Sequence, residues 1–221
     1  MFRFFLFCDK MLIGVEINNK HTLTLRWPSE RKISMKIKGE SIIAVPDLIR
    51  VKFGTSGLEK WMASLSEEAR AVYASVIEPY EWYDLKTIYL EPVEKICDLF
   101  YNGSYEGAID AGRADAERVL GGVYKLFVRF GSPGFIIRRG SVLFPSYYKD
   151  AAMELVEIHP KGCLLRLNEF GGEKMEKINE FTIKGWMERA MELCGCTNVV
   201  VKPEWSNIKE KETLQFVASW D

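Results

Sequence analysis

Residues 105–130, YEGAIDAGRADAERVLGGVYKLFVRF, carry the strongest periodic signal in the chain. Apolar residues recur there at helical spacing, at Tyr105, Ala108, Ile109, Gly112, Ala116, Val119, Leu120, Val123, Phe127 and Phe130. Such a stripe predicts a long, largely buried helix. Gly112, Gly121 and Gly122 interrupt good helix formers, and each costs about 1 kcal/mol relative to alanine. These glycines indicate close helix packing, a bend or a ligand against the backbone, and packing is the favoured interpretation.

The regions flanking this stripe are also predicted to be helical, so that short helices follow one another between residues 42 and 139. One is predicted in residues 46–54, a stretch that ends on Gly54 as its C′ glycine. Ser66 is a predicted N-cap, because two acidic residues follow it in the first turn. Pro92 should kink a helix or restart it. Residues 131–133, Gly-Ser-Pro, should close one helix and cap the next.

The pattern changes after Pro145. Strands are predicted over 152–158, 163–168, 197–201 and 213–220, and a strong helical stripe over 183–194 ends at Gly195. An antiparallel sheet needs such a helix to cover one of its faces. The sequence therefore predicts an α+β fold, in which an N-terminal and middle helical bundle packs on a small antiparallel four-stranded sheet with one covering helix.

Residues 1–34 differ from the rest, because they carry six Lys or Arg against three Asp or Glu in a chain whose formal charge is −1. Alternation over 21–27 predicts a short strand there. Met11 and Met35 both offer later starts, so the segment is interpreted as an add-on hairpin, a loose tail or upstream sequence wrongly included. Residues 35–221 are predicted to form a single α+β domain.

Composition excludes several classes of function. The 221 residues include 30 Lys and Arg against 31 Asp and Glu, with 48% hydrophobic residues, which is typical of a globular protein. A balanced charge offers no field for gathering nucleic acid. No run approaches the roughly 20 apolar residues that span a bilayer, so no integral membrane association is predicted. Five cysteines in irregular spacing do not form a disulfide framework, and the predicted location is cytoplasmic.

Catalytic and metal-binding motifs are weak throughout. The chain has only two histidines, His21 and His159, and two thiolates at Cys194 and Cys196 do not complete a zinc site. No nucleophile elbow or phosphate-binding loop is present in the sequence. We therefore predict no enzyme activity, no metal and no cofactor.

Aromatic residues are concentrated in the helical part, several of them beside arginines. A cavity among such helices would be apolar, with a few tyrosine hydroxyls and an arginine at its mouth, which is typical of a small-molecule site. Gly112 is expected to face a neighbouring helix or a cavity, and Arg113 the edge of that contact. The predicted ligand-binding residues are Trp82, Tyr83, Gly112, Arg113, Tyr124, Phe127, Tyr147 and Tyr148.

Several short motifs, taken in order, resemble a bacterial pattern: 81–83 (EWY), 112–117 (GRADAE), 121–129 (GGVYKLFVR), 132–133 (SP), 147–148 (YY), 185–186 (GW) and 216–220 (FVASW). The pattern is similar to an uncharacterised family expanded in myxobacteria and related to 4-vinyl-reductase-type domains, haem nitric-oxide-binding domains and TRAPP vesicle-tethering subunits. This resemblance covers about residues 36–220. It implies a non-catalytic, often dimeric α+β domain serving as a sensory or interaction module.

The chain departs from those relatives at two points. Haem-binding relatives need a helix-borne histidine and a Tyr-x-Ser-x-Arg motif, and this sequence has neither, so the resemblance does not carry haem over. The 4-vinyl-reductase-type domains usually hold cysteines around a glycine before the last strand, whereas residues 205–212 here contain none.

Two functional hypotheses remain open from the sequence. In the first, the protein is a sensory module that binds a small apolar or amphipathic ligand between helices and sheet, with a homodimer or signalling partner. In the second, it is an interaction or scaffold protein whose core is filled and which works through a dimer surface. A cavity of roughly 300 Å³ or more would favour the first hypothesis.

Overall fold

The computed structural model describes residues 3–8, 11–17, 23–26, 35–121, 132–170, 176–208 and 211–221. The chain divides into two compact units, Met1–Ile33 and Ser34–Asp221. The first unit contains three antiparallel strands in the order β1-β2-β3, namely β1 (Arg3–Cys8), β2 (Met11–Ile17) and β3 (Leu23–Arg26). The strand predicted over 21–27 corresponds to β3.

The second unit combines helices with a four-stranded sheet. Its helices are α1 (Gly39–Ser64), α2 (Glu67–Ala74), α3 (Glu91–Phe100), α4 (Glu106–Gly121), α5 (Pro133–Tyr147) and α6 (Lys177–Leu193), with a π-helical turn at Lys86–Leu90. Its strands are β4 (Lys36–Lys38), β5 (Trp82–Asp84), β6 (Ala151–His159), β7 (Gly162–Phe170), β8 (Val200–Ile208) and β9 (Lys211–Ser219). The sheet is antiparallel with the order β6-β7-β9-β8, and α6 lies between β7 and β8 in the sequence. This arrangement confirms the predicted α+β architecture.

Local signals fixed several helix ends as predicted. Ser66 Oγ accepts a hydrogen bond from the Ala69 amide at 3.2 Å, which caps α2. Ser132 Oγ accepts from the Phe135 amide at 3.3 Å, with a proline opening α5. Gly195 follows α6 with φ of 92°, the left-handed conformation that ends many helices.

The first helix differs from its prediction. The predicted helix over 46–54 is part of α1, which begins at Gly39 and passes through Pro46. Ile42 and Val45 are 0% and 1% exposed, so burial of this segment extends the helix ahead of the proline. Gly54 does interrupt the helix, because its φ of 70° and ψ of −172° are not helical.

A second helical irregularity precedes Pro92, where the π-helical turn gives way to α3. This arrangement confirms that the proline disturbs the helix at that point. The Pro92 carbonyl also accepts a hydrogen bond of 2.9 Å from the indole of Trp61, which is fully buried. The helical part of the core therefore contains a fully buried tryptophan whose indole N–H has a hydrogen-bond partner.

The last two strands form a hairpin on the sheet. The strand predicted over 197–201 is β8, which begins and ends later than expected and contains Pro203. The proline is tolerated because β8 lies at the sheet edge and its backbone need not donate to a further strand. The predicted inward alternation is confirmed: Leu214, Phe216, Ala218 and Trp220 are all buried.

None of the helices in the described part of the chain is both long enough and apolar enough to cross a membrane.

The crossing of α4 and α6 brings two helix backbones together at glycines. A Cβ on Gly112 would overlap the Thr182 carbonyl oxygen and lie 2.8 Å from the Trp186 amide nitrogen. A Cβ on Gly185 would overlap the Ile109 carbonyl oxygen. Gly112 therefore faces a neighbouring helix, as predicted, and each glycine admits the backbone of the other helix.

Ion pairs line the edge of this crossing. Arg113 donates to the Glu192 carboxylate at 2.6 Å, and Arg189 donates to Glu117 at 2.6 Å. Arg113 thus lies at the edge of the contact, where the sequence predicted it. These pairs are partly exposed, so they add orientation more than stability.

We expect Gly112→Ala to lower the free energy of unfolding by about 2–3 kcal/mol, because the added methyl must push two helix backbones apart. Urea denaturation monitored by circular dichroism measures this. The matched control is Gly121→Ala in the same helix, where the nearest described atom to an added Cβ belongs to the Glu117 side chain, at 3.9 Å. Its stability should stay within about 1 kcal/mol of the wild type. Equal effects at the two glycines would contradict the role given to the crossing.

Candidate functional site

A cavity of about 330 Å³ lies between α4, α5, α6 and the sheet. Its walls are mainly apolar: Ile136 and Phe144 come from α5, Met187 from α6, and Met153 and Leu165 from the sheet. Several of these side chains also belong to the hydrophobic core over the sheet. The cavity is therefore an interruption in the packing between the covering helices and the sheet.

One side of the cavity reaches the protein surface along α5. Phe135 is 50% exposed, and Arg139, one turn further along the same face, is exposed as well. Both residues line the cavity. The Arg139 side chain forms no ion pair with any residue that the structure describes. This mouth thus combines an aromatic ring with a positive charge. The sequence analysis expected an arginine at the mouth of such a cavity.

The cavity lining also includes buried polar side chains. Asp115 on α4 is 6% exposed, and Tyr89, Tyr148 and Thr182 beside the cavity are 2%, 9% and 2% exposed. The Tyr148 hydroxyl donates to Asn179 Oδ1 at 3.2 Å. The Thr182 hydroxyl donates to the Asn179 main-chain oxygen at 2.9 Å. Most of these polar groups are therefore satisfied by one another.

Two groups are exceptions, the Asn179 side-chain nitrogen and the carboxyl of Asp115. Asp115 Oδ1 is buried and has no hydrogen-bond partner among the described residues. Burial raises the pKa of this carboxyl well above its ordinary value, and the nearby charge of Glu40 raises it further. Arg118 and side-chain hydrogen bonds with Trp186 and Ser41 act in the opposite direction. Burial is the largest of these effects, so the neutral acid is favoured.

The same surroundings act on the two phenols. Burial raises the pKa of Tyr148, and Asp115 adds to the increase. Burial likewise raises the pKa of Tyr89, with smaller contributions from Tyr148 and Asp115. Both hydroxyls therefore stay protonated and act as neutral hydrogen-bonding groups.

The structure brings together only some of the predicted ligand-binding residues. Gly112, Tyr147 and Tyr148 line the cavity. Arg113 does not line it, because its guanidinium pairs with Glu192 at the helix crossing. Tyr124 and Phe127 lie outside the described residues.

Trp82 and Tyr83 are also absent from the cavity wall. They belong to β5, which pairs with β4, a three-residue ladder that the sequence analysis did not predict. There the Lys38 ammonium lies 4.2 Å from the Trp82 ring centroid, and the Tyr83 hydroxyl accepts from the Glu78 amide at 3.0 Å. Strand pairing thus fixes these two aromatic residues in a different part of the unit.

Sequence analysis missed the buried polar residues that line the cavity, Ser41, Tyr89, Asp115 and Thr182. For Asp115 a signal was present. Asp115 lies three residues after Gly112 and next to Ala116, so it is on the buried face of the helix. That face should carry only apolar residues. A carboxylate on that face is unusual enough to mark a site.

Metal-binding groups are scarce in the part of the chain that the structure covers, where no cluster of three or more His, Cys, Asp or Glu could hold an ion. His159 has a 67% exposed side chain at the end of β6, as predicted for a loop residue. Cys97, Cys163 and Cys196 are buried thiols, and burial raises the pKa of Cys163 to about 11.

Comparison with solved structures shows the class of fold. An H-NOX protein from S. oneidensis, in the Fe(II)NO ligation state, has a TM-score of 0.62 at 9% identity, covering 84% of this chain and 99% of that one. An H-NOX protein from K. algicida gives 0.58 at 13%, covering 84% and 97%. An oxygen-binding H-NOX domain related to soluble guanylate cyclases gives 0.59 at 13%, covering 84% and 95%.

The chain therefore has the fold of the haem nitric-oxide-binding domains. This confirms, at the level of fold, the relationship that the sequence motifs indicated. No protein-family model matches the sequence, and no curated protein matches it by sequence.

We expect Asp115→Asn to become more stable relative to the wild type as the pH rises from 4 to 7. An acid whose pKa is raised by folding binds more protons in the folded state, so the wild type loses stability as the pH rises above the unfolded pKa of about 3.9. Asparagine keeps the shape of the neutral acid and has no such proton to lose. Urea denaturation of both proteins across this pH range measures the difference.

The control is Asp47→Asn, which changes a carboxylate on α1 with a 65% exposed side chain. Its stability difference from the wild type should not follow the same trend. A pH-independent difference for Asp115→Asn would show that the carboxyl is ionised in the folded protein.

Proposed function

We propose that residues 35–221 form a non-catalytic sensory or small-molecule-binding domain, which holds an apolar or amphipathic ligand between helices and sheet. The observation that carries this proposal is the cavity of about 330 Å³. Protein interiors are normally packed with few voids larger than a water molecule. An apolar cavity of this size within a core is therefore best explained by an occupant.

The composition of the cavity wall supports the same function. Small-molecule sites commonly occupy 300–1,000 Å³ and combine apolar walls with a few polar groups. Here the apolar wall comes from α5, α6 and the sheet, and the polar groups come mainly from α4 and its neighbours. Gly112, Tyr147 and Tyr148 remain proposed binding residues, and Tyr89 and Asp115 join them.

The shared fold gives further support. Among the similar structures, one protein is in the Fe(II)NO ligation state and another is an oxygen complex. This fold therefore holds small ligands in other proteins. At 9–13% identity, however, the ligand must be inferred from the residues of this chain.

Those residues do not fit a haem group. Haem iron in sensory proteins is held by a protein ligand, most often an imidazole. No histidine lines the described cavity: His159 is exposed on β6, and His21 lies outside the described residues. Two of the three tyrosines that line the cavity, Tyr89 and Tyr148, have raised pKa values, which opposes their binding iron as phenolates. The proposed ligand is therefore organic and apolar.

The scaffold hypothesis requires a filled core, and the cavity disfavours it. We propose further that the domain acts in the cytoplasm, as a homodimer or with a signalling partner that responds to ligand occupancy.

Haem reconstitution tests the choice of ligand. The full-length protein, mixed with one equivalent of haemin and desalted, should show no stoichiometric Soret band. A Soret band at one equivalent, with the spectrum of a protein-ligated iron, would overturn the assignment of an organic ligand.

Binding of N-phenyl-1-naphthylamine, a neutral fluorescent probe, tests the cavity itself. We expect saturable binding at one site per chain, with at least about tenfold weaker binding in Gly140→Phe, since a large side chain there should compete for the same space. Gly140 lines the cavity, and a Cβ on it would meet no atom of the described residues within 4 Å. The matched control, Gly140→Ala, should bind as the wild type does. Unaltered binding in Gly140→Phe would place the probe elsewhere.

A further inference from the structure

We infer that the cavity recognises one hydrogen-bonding oxygen of an otherwise apolar, uncharged ligand through the carboxyl group of Asp115. This inference rests on the proposed ligand-binding function and adds the chemical class of the ligand. Ketones, aldehydes, esters, amides and alcohols with an apolar body have the required chemistry.

The first argument is an unfilled hydrogen-bonding position. Asp115 is 6% exposed and lines the cavity, yet its Oδ1 has no partner among the described residues. A buried polar group without a partner destabilises the folded protein. A ligand oxygen placed beside Asp115 would supply the missing partner and remove that destabilisation.

The second argument is that the neighbouring polar groups are already engaged. The Tyr148 hydroxyl donates to Asn179, and the Thr182 hydroxyl donates to the Asn179 main-chain oxygen. Ser41 and Trp186 interact with the Asp115 carboxyl itself. Among the described residues that line the cavity, Asp115 Oδ1 is thus a position where a new hydrogen bond to a ligand oxygen forms without breaking one of these.

The third argument concerns charge. The groups that face Asp115 are Glu40 on α1, Arg118 on its own helix, and the phenols Tyr89 and Tyr148. Arg118 is exposed, so its charge is screened by solvent. Burial and Glu40 keep the Asp115 carboxyl neutral, and a neutral carboxyl donates a hydrogen bond. An acceptor oxygen on the ligand fits this donor.

An anionic ligand group is disfavoured beside Asp115. A carboxylate placed there would lose its hydration, and the nearest acidic group, Glu40, would repel it. The exposed cation among the described lining residues, Arg139, is on α5 and is not one of the groups that shift the pKa of Asp115 on α4. The ligand end that reaches Asp115 is therefore uncharged.

Two naphthalenes of nearly identical shape test this recognition. 2-Acetylnaphthalene carries a carbonyl oxygen where 2-isopropenylnaphthalene carries a CH₂ group. The full-length wild type should bind the ketone about 2- to 10-fold more tightly, which is the range expected for one neutral hydrogen bond. Isothermal titration calorimetry at pH 7 gives both dissociation constants.

Two variants locate the hydrogen bond. Asp115→Ala should bind both naphthalenes equally, whereas Asp115→Asn, which retains an N–H donor, should keep the preference for the ketone. The infrared carbonyl stretch of bound 2-acetylnaphthalene should lie below its value in hexane for the wild type and return towards that value in Asp115→Ala. The wild-type measurements need no variant, so they test the inference even if Asp115→Ala does not fold.

The outcomes separate this inference from the proposed function. If neither naphthalene binds, the proposed ligand-binding function fails. If both bind the wild type equally, or the preference survives in Asp115→Ala, ligand binding stands and the role of Asp115 is wrong. Tighter binding of 2-naphthoate than of the ketone would also overturn the inference, because it would show that the site selects an anion.

Discussion

The close crossing of α4 and α6 is the constraint on which the second unit depends. At Gly112 and Gly185 each helix admits the backbone of the other, so the two axes have little freedom to slide or separate. Because α6 also covers the sheet through Ile183, Met187 and Met191, the crossing fixes the helical part relative to the sheet. The cavity lies alongside this rigid contact and includes Gly112 in its wall. The part of its wall at Gly112 is therefore backbone, which no rotamer change can move.

A rigid wall makes a buried acid costly, since the surroundings cannot move to solvate it. Asp115 lies one helical turn beyond Gly112, on the same helix and within the same cavity. A leucine or alanine at this position would remove the unpaired Oδ1 and the desolvation of the carboxyl. Buried titratable groups that destabilise the folded protein are concentrated at functional sites. The cost is therefore consistent with selection for a ligand contact rather than for packing.

Residue patterns with a local cause predicted most of the fold. The N-caps at Ser66 and Ser132 depend on amides three residues away, and the alternation at Leu214–Trp220 reflects one sheet face. The β4–β5 ladder escaped prediction because it joins three-residue segments more than 40 residues apart, which is too short for any period. Because of that pairing, Trp82 and Tyr83 lie in β5 and do not line the cavity. Aromatic composition predicted the kind of site, but long-range pairing determined which aromatic residues form it.

The H-NOX fold and the lining of this cavity convey different information. The fold, with its helices packed over an antiparallel sheet, is shared at 9–13% identity. The chemistry of the cavity depends on a few side chains, which substitution changes without altering the backbone. Here those side chains are a buried carboxyl whose pKa is raised, three tyrosines, an arginine and an apolar wall, and no described residue that lines the cavity is a histidine. The architecture thus contains a cavity large enough for a small molecule, and we propose that Asp115 and its neighbours favour an uncharged organic ligand over a metal centre.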